Sequence, residues 1–361
     1  MKKVLKTLII LLVVLIVLAS IALGGLYIYY KDCIKAQSNE SEPVELHIKE
    51  GLSSKQIIDE IYSANLLKNK YAGYVYLKLN KNLNLQAGDY DMNRNMSLEE
   101  ILNKISRGEV IDNSISITFV EGKRINHFAN RIAEKYPYTE EEIMKKLEDK
   151  DYQKTLIKKY WFLTEDILND KLYYALEGYL YPNTYQFKEH ATIEEIIEKI
   201  LDNTGIVLNK YKKDIEESNY SVHEILTMAS IVELEGGNSK DRAGVAGVFY
   251  NRLKNGWSLG SDVTTYYAAK VEMSERDLYW TEINDANDYN TRSQTMAGKL
   301  PVGPICSPSE DSIKASINPT NHDYFYFVAD KNGKTYFSKN EAEHNKTIAD
   351  LKSQGLWYVY R

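Results

Sequence analysis

From Leu8 to Tyr30 the chain carries no charged residue. About 20 apolar residues at ~1.5 Å each cover the ~30 Å hydrocarbon core of a bilayer, so this run predicts a membrane-spanning helix. A cleaved signal peptide is the competing reading, but its apolar core usually runs only ~7–15 residues, and the length favours a retained anchor. Lys2, Lys3 and Lys6 precede the run. By the positive-inside rule they stay in the cytoplasm and the rest of the chain lies outside. Tyr27, Tyr29 and Tyr30 suit the aromatic belt at the outer interface.

Residues 31–43 are polar and read as a short linker. Val44 to Lys49 has a strand pattern and Glu50-Gly51 a turn. Ser53 with Gln56 forms a capping box ahead of Ile57, Ile58 and Ile61. Ser97 with Glu100 repeats it ahead of Ile101, Leu102 and Ile105. Together these make a small α+β module over 44–110. Ile115, Ile117 and Phe119 then alternate with polar residues, Glu121-Gly122 turns the chain, and Phe128, Ala129 and Ile132 follow at the offsets that Ile57, Ile58 and Ile61 keep from Gly51. That spacing suggests a repeated strand–turn–helix unit, although strand–Gly–helix is also a common local pattern.

Residues 139–215 read as mainly helical, with Thr139/Glu142 and Thr192/Glu195 as caps. They are interrupted by Glu177 to Phe187, too aromatic and too broken by Gly and Pro for a plain helix. Ser221/Glu224 caps a helix to Leu234 that is apolar nearly all round, hence buried, and Gly236-Gly237 ends it. Ser307-Pro308-Ser309-Glu310 supplies a cap, an N1 proline and an N3 glutamate before Ile313 and Ile317. Asn332-Gly333 between two strand-like runs predicts a hairpin. The fold class is α+β. It comprises a cytoplasmic tip and anchor (1–30), a linker (31–43), the small module (44–110) and a larger α+β domain (111–361).

Composition narrows the function. Of 361 residues, 43% are hydrophobic and 27% charged, as in a folded globular chain. A formal charge of −6 gives no long-range pull on nucleic acid. Cys33 and Cys306 cannot build a disulfide framework and read as unpaired thiols. There is no HExxH, P-loop, GxGxxG or GxSxG, and the six histidines do not cluster at ligand spacing. No metal and no cofactor is expected.

Glu233 is the best chemical candidate. It falls in the last turn of the buried helix, with the small residues Ala229 and Ser230 one turn back, which leaves room for an approaching group. Burial and the negative end of the helix dipole should both raise its pKa and suit it to proton donation. Glu235 faces another way. From this helix alone a solvent-pointing carboxylate is the favoured reading, since most helix-end carboxylates are exposed.

Several runs then recur in order. They are Ala229-Ser230-Ile231-Val232-Glu233, Ala246 to Leu253, Ser261-Asp262-Val263-Thr264, Tyr289-Asn290-Thr291, Leu300-Pro301-Val302-Gly303-Pro304-Ile305, Asn318-Pro319, Tyr326 to Asp330 and Glu343-His344-Asn345. With Glu177 to Phe187 and Leu85 to Tyr90, they cover nearly the whole chain and resemble the endolytic murein transglycosylases (the YceG-like family). Val263 and Val302 replace prolines of that pattern, and Arg292 to Lys299 makes a longer connection, which bears on loop geometry and substrate preference.

The resemblance implies a LysM-like module over 44–110 and a catalytic domain over 111–361. It implies a lyase that cuts the MurNAc-β-1,4-GlcNAc bond of nascent glycan strands, leaves 1,6-anhydroMurNAc ends and so terminates elongation. Glu233 would be the acid/base, and Glu177, Asp262, Thr264, Tyr289, Asn290 and Thr291 would line the substrate cleft or hold its turns. Tyr179, Tyr181 and Tyr185 would stack on sugars or fill the core. The implied partners are peptidoglycan strands, the cytoplasmic membrane and the cell-wall synthesis machinery, with no nucleic acid. The implied location is the cytoplasmic membrane, single-pass, N-terminus inside and catalytic domain outside. A membrane-tethered peptidoglycan-binding scaffold and a muramidase-type hydrolase are the alternatives.

Overall fold

The computed structural model describes residues 2–110, 114–236 and 238–357. The chain divides into two compact units between Asn113 and Ser114. The expected boundary at 110/111 abuts residues 111–113, which lie outside the described residues. Both units mix helices with two-stranded sheets, so the class is α+β.

In the first unit, α1 runs unbroken from Lys2 to Cys33. Among the described residues it is the one helix long and apolar enough to cross a membrane, and its apolar window is unburied. Then follow β1 (Pro43–Ile48), α2 (Ser54–Ser63), α3 (Lys70–Leu79), β2 (Gly88–Asn93) and α4 (Leu98–Arg107). β1 and β2 pair antiparallel with Leu46 opposite Tyr90, which puts Leu46, Ile48, Tyr90 and Met92 on one buried face. Both expected capping boxes form, and the apolar faces of α2 and α4 close the core.

The segment read as a linker departs from expectation. Its first residues complete α1, where Cys33 is buried. Beyond, Leu98 N–H donates to Ile34 C=O (3.0 Å), and Gln37 and Ser38 N–H both donate to Arg94 C=O (2.8 and 3.0 Å). Polar composition suggested freedom, but the backbone groups are bonded to the module.

The second unit begins with β3 (Ile115–Thr118), α5 (Ile125–Ala133), α6 (Glu140–Glu148) and α7 (Lys150–Lys159). β4 (Thr184–Phe187), inside the aromatic segment, pairs antiparallel with β3. α8 (Ile193–Asn209), α9 (Lys212–Glu216), α10 (Val222–Glu235), α11 (Arg242–Lys254), α12 (Asp262–Ala268), α13 (Trp280–Ile283) and α14 (Glu310–Ile317) follow. The chain closes with the expected hairpin, β5 (Tyr326–Ala329) and β6 (Thr335–Ser338), and with α15 (Glu341–Ser353).

Gly51 and Gly122 share a left-handed turn (φ +82° and +72°), and the two apolar triplets after them are all buried. α2 is closed by its own Ser53, whereas the N-cap of α5, Arg124, makes no side-chain cap. Helix α10 is the hub of this unit. Ile225, Leu226 and Ala229 join one core, while Met228, Ile231 and Val232 join another. That is why its sequence is apolar on every side. It packs on α11, α12 and α14.

Candidate active site

Glu233 leaves the last turn of α10 with its side chain only 7% exposed. It points at the N-terminus of α14. Its Oε2 accepts from Ser309 N–H (2.9 Å), Ser309 Oγ (2.5 Å) and Ser312 Oγ (2.7 Å). Its Oε1 accepts from Arg242 Nη2 at 2.9 Å. The carboxyl is buried, but a guanidinium, two hydroxyls and a helix N-terminus surround it, so the environment is not the purely apolar one that burial suggested. The solvent-pointing reading is excluded.

Two nearby expectations change. The start of α14 lies two residues later than the Ser307 cap, because Ser307 is engaged elsewhere. Its N–H donates to Lys123 C=O (2.9 Å) and its C=O accepts from Gly122 N–H (2.8 Å). Ser309 therefore caps the helix, accepting from Ser312 N–H at 3.4 Å. The space beside Ala229 and Ser230 is filled by the chain itself. Ile305 N–H donates to Ser230 Oγ (3.0 Å) and Cys306 Sγ to Ser230 C=O (3.3 Å). α10 does end at Gly236, and Gly237 lies outside the described residues.

Gly122 sets the other wall. A Cβ there would sit 3.8 Å from Glu233 Cγ and 3.3 Å from Leu234 Cδ2, at φ +72°. The turn that the sequence marked only as a connection thus lies directly on the carboxylate-bearing helix.

The remaining candidates form a clamp. Thr264 Oγ1 and Thr291 Oγ1 are paired at 2.7 Å, and Thr291 Oγ1 also accepts from Ser261 N–H (3.0 Å). Asn290 accepts from Thr265 Oγ1 (2.7 Å) and donates to the carbonyls of Ile283 (3.0 Å) and Asp285 (2.8 Å). Tyr289 packs in tilted ring contact with Tyr173 and Tyr267, each at 4.8 Å between centroids. Thr264, Tyr289, Asn290 and Thr291 are all buried. Asp262 is exposed and paired with Arg292. Glu235 turns towards this clamp, accepting from Ser261 Oγ at 2.7 Å. It is half-buried by surface, yet its carboxyl is crowded enough that desolvation raises its pKa, as does the charge of Asp262.

Glu177 is also buried. Its Oε1 accepts from Ile125 N–H (3.0 Å) and its Oε2 from Tyr267 OH (3.1 Å). It thus caps α5, which has no cap of its own, and joins it to α12. Desolvation pushes its carboxyl up to about 8, against the opposing pull of Tyr267, Ile125 and Arg124. Next to it Gly178 has φ +78°, and a Cβ there would lie 2.3 Å from Pro304 Cβ. Gly178→Ala should therefore cost about 3 kcal/mol through strain and overpacking together. A urea midpoint on the detergent-solubilised chain reads this, and an unchanged midpoint would contradict the packing described. Tyr179 and Tyr185 are core residues, and Tyr181 is half-buried against the same core.

A hollow of about 1160 Å³ lies elsewhere, lined by Tyr220, His223, Tyr250, Asn251, Pro301 and Val302. It opens at the N-terminal end of α10, some ~15 Å along the helix from Glu233. Two of its polar groups are bonded internally, His223 with Tyr179 OH and Val302 C=O (both 2.8 Å) and Tyr250 OH to Ser316 C=O (2.8 Å). Among the described residues no group of His, Cys, Asp or Glu is placed to hold a metal ion, and both cysteines are free thiols.

Comparison with known proteins decides the family, for residues 46–350 match the model of the YceG-like family. The chain belongs to the YceG-like family. An endolytic murein transglycosylase of Bacillus subtilis is 33% identical over 90% of this chain and 89% of its own length. One from Streptococcus pneumoniae serotype 2 is 32% identical over 93% of this chain, which spans 64% of that longer protein. A crystal structure of a yceG-like protein from Listeria monocytogenes matches with a TM-score of 0.60 and 32% identity, over 85% of this chain and 100% of that one. Its curated YceG-like relatives being named transglycosylases, the chain is an enzyme of the lytic transglycosylase class, a lyase. The sequence singles out Glu233 as a candidate but links it to none of Arg242, Ser309, Ser312 and Gly122, which surround its side chain. Ser309 carried a visible signal as part of a helix start, and Gly122 as part of a turn.

Proposed function

We propose that this enzyme acts on peptidoglycan, cutting the MurNAc-β-1,4-GlcNAc bond of nascent glycan strands, with Glu233 as its one acid/base. The observation that carries the reading is a buried carboxyl with both oxygens held by named donors, while Glu235 is turned to a different element. One acid is enough if the substrate supplies its own nucleophile. Glu233 gives its proton to the bridging oxygen as the C1–O bond breaks. The muramyl 6-hydroxyl then closes on C1 and returns a proton to Glu233. No water enters, and the product is a 1,6-anhydroMurNAc end. Hydrolytic glycosidases need a second carboxylate to manage water or to act as nucleophile. Here the hydroxyl is already held at high effective concentration.

Asp262, being exposed, is the member of the candidate set suited to meet sugar. Glu177, Thr264, Tyr289, Asn290 and Thr291 serve by holding α5, α12 and the 289–291 turn in place. The strand–helix–helix–strand order of β1, α2, α3 and β2 supports a LysM-like, glycan-binding module. Lys2, Lys3 and Lys6 ahead of α1 support an N-terminus in the cytoplasm and a catalytic unit outside. There it would trim emerging strands beside the synthesis machinery.

The test is the mass of the products from defined nascent strands. Ends lacking one water relative to hydrolysis products are expected. Reducing ends would show a muramidase-type hydrolase instead, and binding without cleavage would show a scaffold.

A further inference from the structure

We propose that Arg242 and the start of α14 assign the two oxygens of Glu233 to different tasks, Oε2 as a fixed anchor and Oε1 as the atom that carries the proton. This rests on Glu233 being the acid/base.

The hydrogen-bond inventory makes the assignment. A carboxylate oxygen offers two lone pairs. Oε2 receives three donors, from Ser309 N–H, Ser309 Oγ and Ser312 Oγ, and has none left. Among the described residues Oε1 receives only Arg242 Nη2, which leaves one lone pair open. Ser309 Oγ is itself fully used. It donates to Oε2 and accepts from Arg242 Nη1 (2.5 Å) and Ser312 N–H (3.4 Å). One hydroxyl therefore fixes the anchor oxygen, the guanidinium and the helix start together.

Arg242 is the first residue of α11, and its stem is packed at the end of α10. A Cβ on Gly236 would fall 2.8 Å from Arg242 Cγ. The guanidinium is thus held from two helix ends, with Nη2 aimed at the oxygen that stays open.

The chemistry gives this arrangement a use. In the first half-reaction the Oε1–H bond breaks, its proton goes to the bridging oxygen, and the C1–O bond breaks with departure of the GlcNAc 4-hydroxyl. Oε1 is left negative. In the second half the 6-hydroxyl loses its proton to Oε1 as the O6–C1 bond forms. The net change consumes no water and restores the acid. Arg242, a charge-assisted donor at 2.9 Å, stabilises Oε1 in the interval when it bears the charge. Arg242 is a positioning residue here, as are Ser309 and Ser312.

Arg242→Gln, Arg242→Lys, Ser312→Ala and Glu233→Gln in the full-length detergent-solubilised chain separate the possibilities, with kcat and KM measured on purified glycan strands. Arg242→Gln should lower kcat on the order of 10²-fold with KM changed by no more than about threefold, and Arg242→Lys should recover part of the loss. A purely structural Arg242 would raise KM or lower the folded fraction along with kcat, and Arg242→Lys would not restore turnover. Ser312→Ala keeps the Ser309 cap and removes one anchor donor, and a loss of about 5-fold in kcat is expected. If Arg242→Gln fails to fold, Arg242→Lys and Ser312→Ala decide alone. Wild-type kcat in both would overturn the division of labour. If Glu233→Gln is inactive while the other variants match wild type, this inference fails and the acid/base assignment stands. If Glu233→Gln is active, that assignment fails first.

Discussion

Glu233→Gln should reduce peptidoglycan cleavage by roughly 10²–10⁴-fold, the usual share of a positioned general acid, while the chain stays folded. An amide has the same shape but no proton to give at these pH values and no charge to receive one. Its carbonyl can still accept from Ser309 and Ser312, so the anchor at α14 survives. Its NH₂ then faces Arg242 in place of an anion, which costs the ion pair but removes no apolar packing. Binding to glycan strands should change by only a few fold, since the lost contact acts in the transition state. Product release measured by mass spectrometry, beside a circular-dichroism melt, checks both halves. Turnover within about threefold of wild type would mean that the proton comes from another group.

The second large effect concerns stability. Glu177 is raised from 4.5 to about 8 in the folded chain. Between those values the unfolded chain has released the proton and the folded chain still holds it. The folded state binds more protons, so stability falls as pH rises. The contribution is fully present below about 4.5, declines by at most ~1.4 kcal/mol per pH unit, and is gone above about 8. Over that window the loss is on the order of 4 kcal/mol. Glu177→Gln keeps an acceptor for Ile125 N–H and a partner for Tyr267, and cannot ionise. It should match wild type near pH 5 and exceed it near pH 8.5 in denaturant midpoint. Parallel curves for the two proteins across that range would rule out a protonated Glu177.

What the sequence made legible was the short-range chemistry. The boxes at Ser53, Ser97, Thr139, Thr192 and Ser221 all form, because each needs only a hydroxyl and a carboxyl or amide three residues apart. The Asn332-Gly333 turn is equally local, with Gly333 at φ +78° between β5 and β6. The reading failed where distant backbone intervened. Ser307 has the makings of a cap, but Gly122 and Lys123 claim its backbone and the helix starts at Ser309. Ala229 and Ser230 suggested open space, and the 305–306 segment fills it. Arg242 has no spacing rule that links it to Glu233, because their meeting depends on the connection between α10 and α11. The buried state of Thr264, Asn290 and Thr291 was hidden for the same reason, since polar residues in a turn look exposed until the turn is seen to close on itself.

The junction after α1 has a mechanical consequence. A helix of 32 residues, ~48 Å long, passes into the first folded unit without a slack segment, with Cys33 and Ile34 already part of that unit. Such a joint transmits tilt and torque. The module cannot pivot freely on its stem as a balloon does on a string. Its distance from the helix end is fixed, and a glycine-rich spacer inserted after Cys33 would let the module turn independently of α1.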